Sequence, residues 1–253
     1  MINDENLTFT MIDKLFVDLI QNSIDDMQFT TSQRIIKERI ILLESNISTY
    51  RNFKLQAINQ KLEYEANAFL YMQCTIQAIH STFLTFELIR HNSNLKAWGK
   101  IIDAQEYIDI AIKARCIIKN DASLNRDDGI LEICNRIQKI EKGLFPSHKL
   151  YNSPAFIESI GKCSICHTNF LNCEHIEGEI YMGCYCIRID RKIVELNHVA
   201  LVENPRDRRC INTSKHNNLG QAIDVFSREP LKDKLNKDTF RGIIYHMEQL
   251  KIN

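Results

Sequence analysis

Residues 66–86 read ANAFLYMQCTIQAIHSTFLTF. Within them Phe69, Met72, Ile76, Ile79, Phe83 and Phe86 recur at alternating spacings of three and four, which places them on one stripe of an α-helix. The stripe extends backwards through Leu62, Ile58 and Leu55, interrupted only by Glu65. An earlier register, Ile36, Ile40, Leu43, Ile47 and Tyr50, is offset from it by one residue, so a skip or break is expected near 51–54. Thr30 and Gln33 fit a capping box that opens the first long helix. This is the a/d spacing of a coiled coil or a helical bundle. Such seams must fold back on each other within the chain or pair between chains. The aromatic content suits a bundle, and a homodimer is the expected solution state.

Gly and Pro divide the chain. The first glycine is Gly99, the first proline is Pro146, and all four prolines and six of the eight glycines lie from Gly143 onward. A stretch of this length without either breaker favours helix. A further helix starts at Asn94 and carries Trp98, Ile101, Ile108 and Ile112 along one face. Trp98 is the only tryptophan, and it reads as a core anchor. Asp127 and Asp128 can cap another helix bearing Ile130, Leu131, Cys134, Ile137 and Ile140, which Gly143 ends. Cys74, Cys116 and Cys134 sit on helical patterns and read as small buried hydrophobes.

Beyond Pro146 the texture changes to short β-like runs at 179–186 and 192–202. The second alternates Val194, Leu196, His198, Ala200 and Val202 on one face, and Asn204-Pro205 closes it. From about 219, two short amphipathic helices are expected around Glu229-Pro230, the last capped by Asp238. The fold class is therefore mainly α. Long N-terminal helices, a bundle or coiled coil, occupy 1–145; a small α+β zinc-binding domain follows over 146–216; a helical tail ends the chain over 217–253.

The chemistry concentrates in CSICHTNFLNCEHIEGEIYMGCYC, residues 163–186. Cys163-x-x-Cys166 lets two thiolates converge on one metal, and Cys173-x-His175 supplies a second pair after a six-residue loop. Three thiolates and one imidazole in a closed tetrahedral set suit a structural zinc ion. Cys184, Cys186, His198 and Cys210 are alternative ligands, and His167 is a spare. A redox Cys-x-x-Cys would need neither Cys173 nor His175. His175-x-Glu177 matches the His-x-Glu of zinc deaminases, but those enzymes place their Cys-x-x-Cys after it, not before. No phosphate loop and no Gly-x-Ser-x-Gly is present.

Four segments together resemble a set of uncharacterised bacterial proteins. They are Trp98 with Asp103-Ala-Gln-Glu-Tyr107; Gly143-Leu-Phe-Pro146; Cys163-x-x-Cys166 with Cys173-Glu-His-Ile-x-Gly178-x-x-Tyr-Met-Gly183; and His198-Val-Ala-Leu-Val-x-Asn-Pro205. The resemblance covers roughly residues 94–213 and leaves 1–90 outside. It implies a bacterial source and a Cys/His zinc segment after a helical region, and it implies no reaction.

Charge narrows the function classes. Lys+Arg and Asp+Glu both number 32, which argues against a chain that coats nucleic acid or an anionic membrane. Arg206, Arg208, Arg209 and Lys215 form a local basic cluster and are the candidate nucleic-acid contacts. Over 146–216, however, nine Lys and Arg stand against eight Asp and Glu, which dilutes any positive field. No run of about 18 apolar residues occurs, so no membrane contact is expected. The first residues, MINDENLTFTMID, lack the basic and apolar regions of a signal peptide. The nine cysteines are expected reduced, in a cytoplasmic setting, where a Cys/His cluster reads as metal. The leading expectation is a non-enzymatic, zinc-stabilised interaction or regulatory protein, whose helical half contacts a protein partner or a second copy. A nucleic-acid-binding protein is the alternative, and a metalloenzyme is the least favoured.

Overall fold

The computed structural model describes residues 8–119, 129–147, 150–232, 235–236, 239–246, 250 and 252–253. Five helices come first: α1 (Phe9–Asp26), α2 (Gln33–Asn59), α3 (Glu63–Arg90), α4 (Asn94–Lys119) and α5 (Ile130–Leu144). Short strands follow: β1 (Tyr151–Glu158), β2 (Lys162–Cys163), β3 (Ile180–Tyr181), β4 (Cys184–Tyr185), β5 (Arg188–Ile189), β6 (Ile193–Val202), β7 (Ser214–His216) and β8 (Ala222–Asp224). The chain is thus a helical region followed by a small α+β part.

α3 is the centre of the helical half. It is buried on nearly every side over residues 66–86, with α2 and α4 packed along its flanks. Polar side chains on it are made compatible with burial by bonding back along the helix. Thr75, Thr82 and Thr85 each donate to the carbonyl four residues earlier at 2.9 Å. Phe16 of α1 packs edge-on against Tyr50 and Tyr71, which seats α1 over the junction of α2 and α3. The seam residues Phe69, Met72, Ile76, Ile79, Phe83 and Phe86 are therefore covered within one chain.

Several local expectations shift. α2 is capped by Ser32, whose hydroxyl accepts from the Ile35 amide, and not by Thr30. Gln33 turns away from the cap toward Glu87 and Arg90. The break between the two registers falls at 60–62, where the chain turns, and not at 51–54; α2 runs through 51–54 and buries Phe53 and Lys54 there. Leu55 and Leu62 of the extended stripe are consequently exposed. Asp127 and Asp128 lie outside the described residues, and Gly129 stands at the N-cap of α5. Cys74 is buried as expected, whereas Cys116 is exposed and Cys134 half-buried. Trp98 is the anchor its sequence suggests. It is buried, packs edge-on against Phe145 and donates from Nε1 to the Arg208 carbonyl at 3.0 Å.

The strands form four separate antiparallel pairs: β1–β6, β2–β5, β3–β4 and β7–β8. Pro154 sits inside β1, which pairs on one side only, so its missing N–H costs no ladder bond. The expected tail helices are absent from the described residues. Asn217 instead accepts from the Leu219 and Gln221 amides at 3.0 and 2.9 Å and nucleates the β7–β8 turn. Helices this short lack the turns needed to offset their nucleation cost without packing. The β7–β8 hairpin also bridges the expected boundary at 216. Asp238 lies outside the described residues.

Contacts between the two parts are specific. Gly183 has φ +72 and lies against α3, where a Cβ would stand 2.7 Å from the Ala66 carbonyl oxygen, and its amide donates to Asn67 Oδ1 at 2.8 Å. Only glycine meets both conditions. Lys54 and Gln73 donate to the Ile252 carbonyl at 2.6 and 3.1 Å. Asn253 in turn brackets Tyr185, accepting from its amide and donating to its carbonyl.

Candidate metal centre

β2 ends at Cys163, and the backbone then reverses. The His167 amide donates to the Cys163 carbonyl, the Cys163 amide donates to the Thr168 carbonyl, both at 3.0 Å, and His167 takes a positive φ. This turn carries Cys166 round toward the same point. A 3-10 turn at Phe170–Asn172, capped by the Asn169 side chain, delivers Cys173. The Ile165 amide donates to Cys163 Sγ and the His175 amide to Cys173 Sγ, each at 3.3 Å. Such N–H donation favours the thiolate form that a metal requires.

Cys166 Sγ lies 3.4 Å from Cys173 Sγ, and His175 Nδ1 lies 3.2 Å from Cys173 Sγ and 3.7 Å from Cys163 Sγ. The four donor atoms all fall within 4.8 Å of one another, so the cluster could hold a metal ion. The His175 ring stands edge-on to Tyr181 at 4.7 Å, and the Tyr181 hydroxyl accepts from the Ile176 amide at 3.0 Å. The imidazole is thereby oriented by its neighbour. Hydrogen bonds with Thr168 hold the Cys166 thiol down at about 6. Desolvation pushes that of Cys173 up to about 11.

No family model matches the chain, and neither a curated protein nor a solved structure matches it. The resemblance to bacterial Cys/His proteins stands on its motif residues, of which the structure supports a Cys/His cluster following a helical region.

One of the alternative ligands adjoins the cluster. Cys186 is buried with its Sγ 3.8 Å from Cys163 Sγ, so it adjoins the cluster without belonging to the four-donor set. Cys184 lies in β4 toward Lys54. Cys210 is buried near Asp207 and Arg209. His198 is exposed on β6, opposite Ala155, and His167 is exposed outside the four-donor set. Glu177, the base a deaminase-like centre would use, is ion-paired with Arg188 at 2.9 Å.

The basic cluster does not form one surface. Arg209 is 7% exposed and bonded to Asp103, Glu106 and Asp207 at 2.6–3.0 Å. Its desolvation is outweighed by Glu106 and Asp103, which raise its pKa above the ordinary value. Arg208 pairs with Glu141, bonds Gln105 at 2.6 Å and lies over the Trp98 ring. Both arginines join α4 and α5 to the β-rich part. Arg206 and Lys215 remain exposed.

Three features were missed by the sequence reading. The strand β1 is one; its Pro154 is a breaker signal that hides an edge strand. The acceptor role of Glu158, toward Arg188, Arg191 and Arg206, is another. The third is the exposure of β6: the strand itself was expected, but its side chains are mostly exposed on both faces where alternation suggests one buried face.

Proposed function

We propose that this chain is a non-enzymatic interaction or regulatory protein of bacterial type, whose β-rich part is held together by structural zinc and whose contact surface is the β1–β6 ribbon. The observation that carries the reading is the exposure of β6. Val194 is 69% exposed and Leu196 50%, and Ile193, Val199 and Leu201 are exposed beside them. Glu195 is the one carboxylate on this ten-residue strand, which has no lysine or arginine. Natural edge strands are usually blunted by lysines, prolines or a covering element. Apolar side chains left exposed along such a strand mark a site of protein contact.

Zinc is the metal that three thiolates and one imidazole favour in closed sites. Four protein donors leave a bound ion no position for a substrate, which supports a structural role. Reduced cysteines agree with a cytoplasmic location. The helical half supports the contact role less directly, since its seams are already covered; it serves as the platform. The partner is a protein, and a second copy of the chain is the first to test, by pairing of β6 strands into a wider sheet.

Two measurements test the reading. Light scattering on the intact chain at micromolar concentration should give a particle larger than the 29.5 kDa monomer. Leu196→Lys with Val199→Lys should return it to monomer. A wild-type monomer, or an assembly that ignores those substitutions, would overturn the self-pairing ribbon. For the metal, cobalt substitution should give a tetrahedral, thiolate-rich absorption spectrum that small anions do not change. A spectrum that shifts with added anion would reveal an open position and favour a metalloenzyme.

A further inference from the structure

A cleft of about 930 Å³ lies between α4, β1, residues 177–191, residues 206–210 and 244–246, Leu250 and Ile252. That volume is at the upper end of small-ligand sites. Its two ends differ chemically. At one end the single Arg209 is shared among Asp103, Glu106 and Asp207, so carboxylates outnumber it. At the other, three guanidiniums, two from the β5 segment and one from the loop after β6, converge on one carboxylate. Glu158 Oε1 is 3.0 Å from Arg188 Nη2 and 4.0 Å from Arg206 Nη1, and Oε2 is 3.3 Å from Arg191 Nη1. Glu177 adds a second carboxylate there, toward Arg188 Nε. Arg188, Arg191 and Arg206 thus share the Glu158 carboxylate at this end of the cleft.

Donor capacity is also left over. Arg191 Nε is buried without a hydrogen-bond partner. Arg206 is 67% exposed and reaches Glu158 only at 4.0 Å. A planar carboxylate cannot saturate three guanidinium forks, whereas a tetrahedral oxyanion offers acceptors in several directions. Away from the arginines, the cleft wall includes Phe156 and Tyr245, edge-on at 5.4 Å, and Asn152, which is buried with an Oδ1 that lacks a donor.

We propose that this cleft binds a small phosphate monoester with a flat apolar body. Its phosphate sits on Arg188, Arg191 and Arg206 where it competes with the Glu158 carboxylate, and its body lies toward Phe156 and Tyr245. The proposal is independent of the metal and ribbon readings. A polyanion fits poorly, because the far end of the cleft carries Glu106, Asp109 and Asp207.

Titration calorimetry on the full, metal-loaded chain tests this with AMP, adenosine and a mixed single-stranded oligonucleotide as probes. AMP is expected to bind, and adenosine, lacking the phosphate, is expected not to. Arg206→Ala should weaken AMP binding about tenfold, the worth of one charged hydrogen-bonding group, and leave the melting temperature unchanged because that side chain is exposed. Glu158→Gln removes the internal competitor and should tighten AMP binding, a gain that a purely structural ion-pair network would not produce. If that variant does not fold, the Arg206→Ala result decides. Equal binding of adenosine and AMP, AMP affinity unmoved by Arg206→Ala, or binding of the oligonucleotide alone would each overturn the proposal.

Discussion

α3 and β6 are both rich in apolar side chains, and they end in opposite environments. α3 is enclosed by α2 and α4, with α1 over one seam, and its aromatic and aliphatic side chains reach near-zero exposure. β6 has β1 as its one strand neighbour, and Val194, Leu196, Val199 and Leu201 remain in solvent. Hydrophobicity alone did not decide burial; the number of neighbours did. The helical half supplies most of one core, which Tyr151, Ile211 and Ile252 of the β-rich part also enter. The β-rich part has four two-stranded pairs, and an isolated two-stranded pair is marginal in water. That part therefore leans on its attachments to the helices and, on the zinc reading, on its Cys/His cluster.

The largest expected effect breaks the β-rich side alone. On the zinc reading, Cys173→Ser removes one ligand of a site whose metal contributes about 10 kcal/mol or more in small zinc peptides. Metal content should fall toward zero and order around 155–215 should be lost, while helical circular dichroism persists. Collapse of the helical signal as well would show that the helices cannot stand without the β-rich part. Phe83→Ala attacks the opposite side. Its ring is fully buried on α3, and such truncations cost about 3–5 kcal/mol. Chemical denaturation should show that loss with zinc stoichiometry unchanged in the folded protein.

Arg209→Ala tests the seam between the two regions. It takes the buried cation from Asp103, which keeps Lys100 at 2.7 Å, and from Glu106, which is 40% exposed, so the expected loss is about 1–3 kcal/mol, the worth of a charged hydrogen-bonding partner. Calorimetry should record a lower melting temperature, with the β-rich part unfolding before the helices. A single unsplit transition at the wild-type temperature would deny that Arg209 fastens them. The smallest expected effect is on the ribbon. Val194→Lys should change stability by no more than about 0.5 kcal/mol, as for an ordinary surface position. A larger loss, measured on the monomer, would mean that the ribbon face is covered within the chain.

Much of this was legible beforehand. The absence of Gly and Pro before Gly99 and the three-four spacing through Phe86 announce the helices, since both signals act within a few residues. The four donor residues lie within 13 positions and converge through a local turn, so spacing was enough to find them. The tail misled because its amphipathic pattern is short, and the Asn217 side chain and Gly220 favour a hairpin turn over helix nucleation. Cys116 misled because a helical position does not say which face meets a neighbour.

The sequence by itself determined that the chain is mainly helical, that a Cys/His cluster follows, and that Cys163, Cys166, Cys173 and His175 are its members, because each rests on interactions a few residues long. Tertiary structure alone decided the rest. It placed α2 and α4 against α3 so that the seams close within one chain, took Arg208 and Arg209 out of a basic patch and into ion pairs with α4 and α5, set Cys186 beside the cluster and His198 on an exposed strand, and gathered Arg188, Arg191 and Arg206 around Glu158. Each of these is a pairing between distant segments, and such pairings depend on how whole elements pack, which no local spacing encodes.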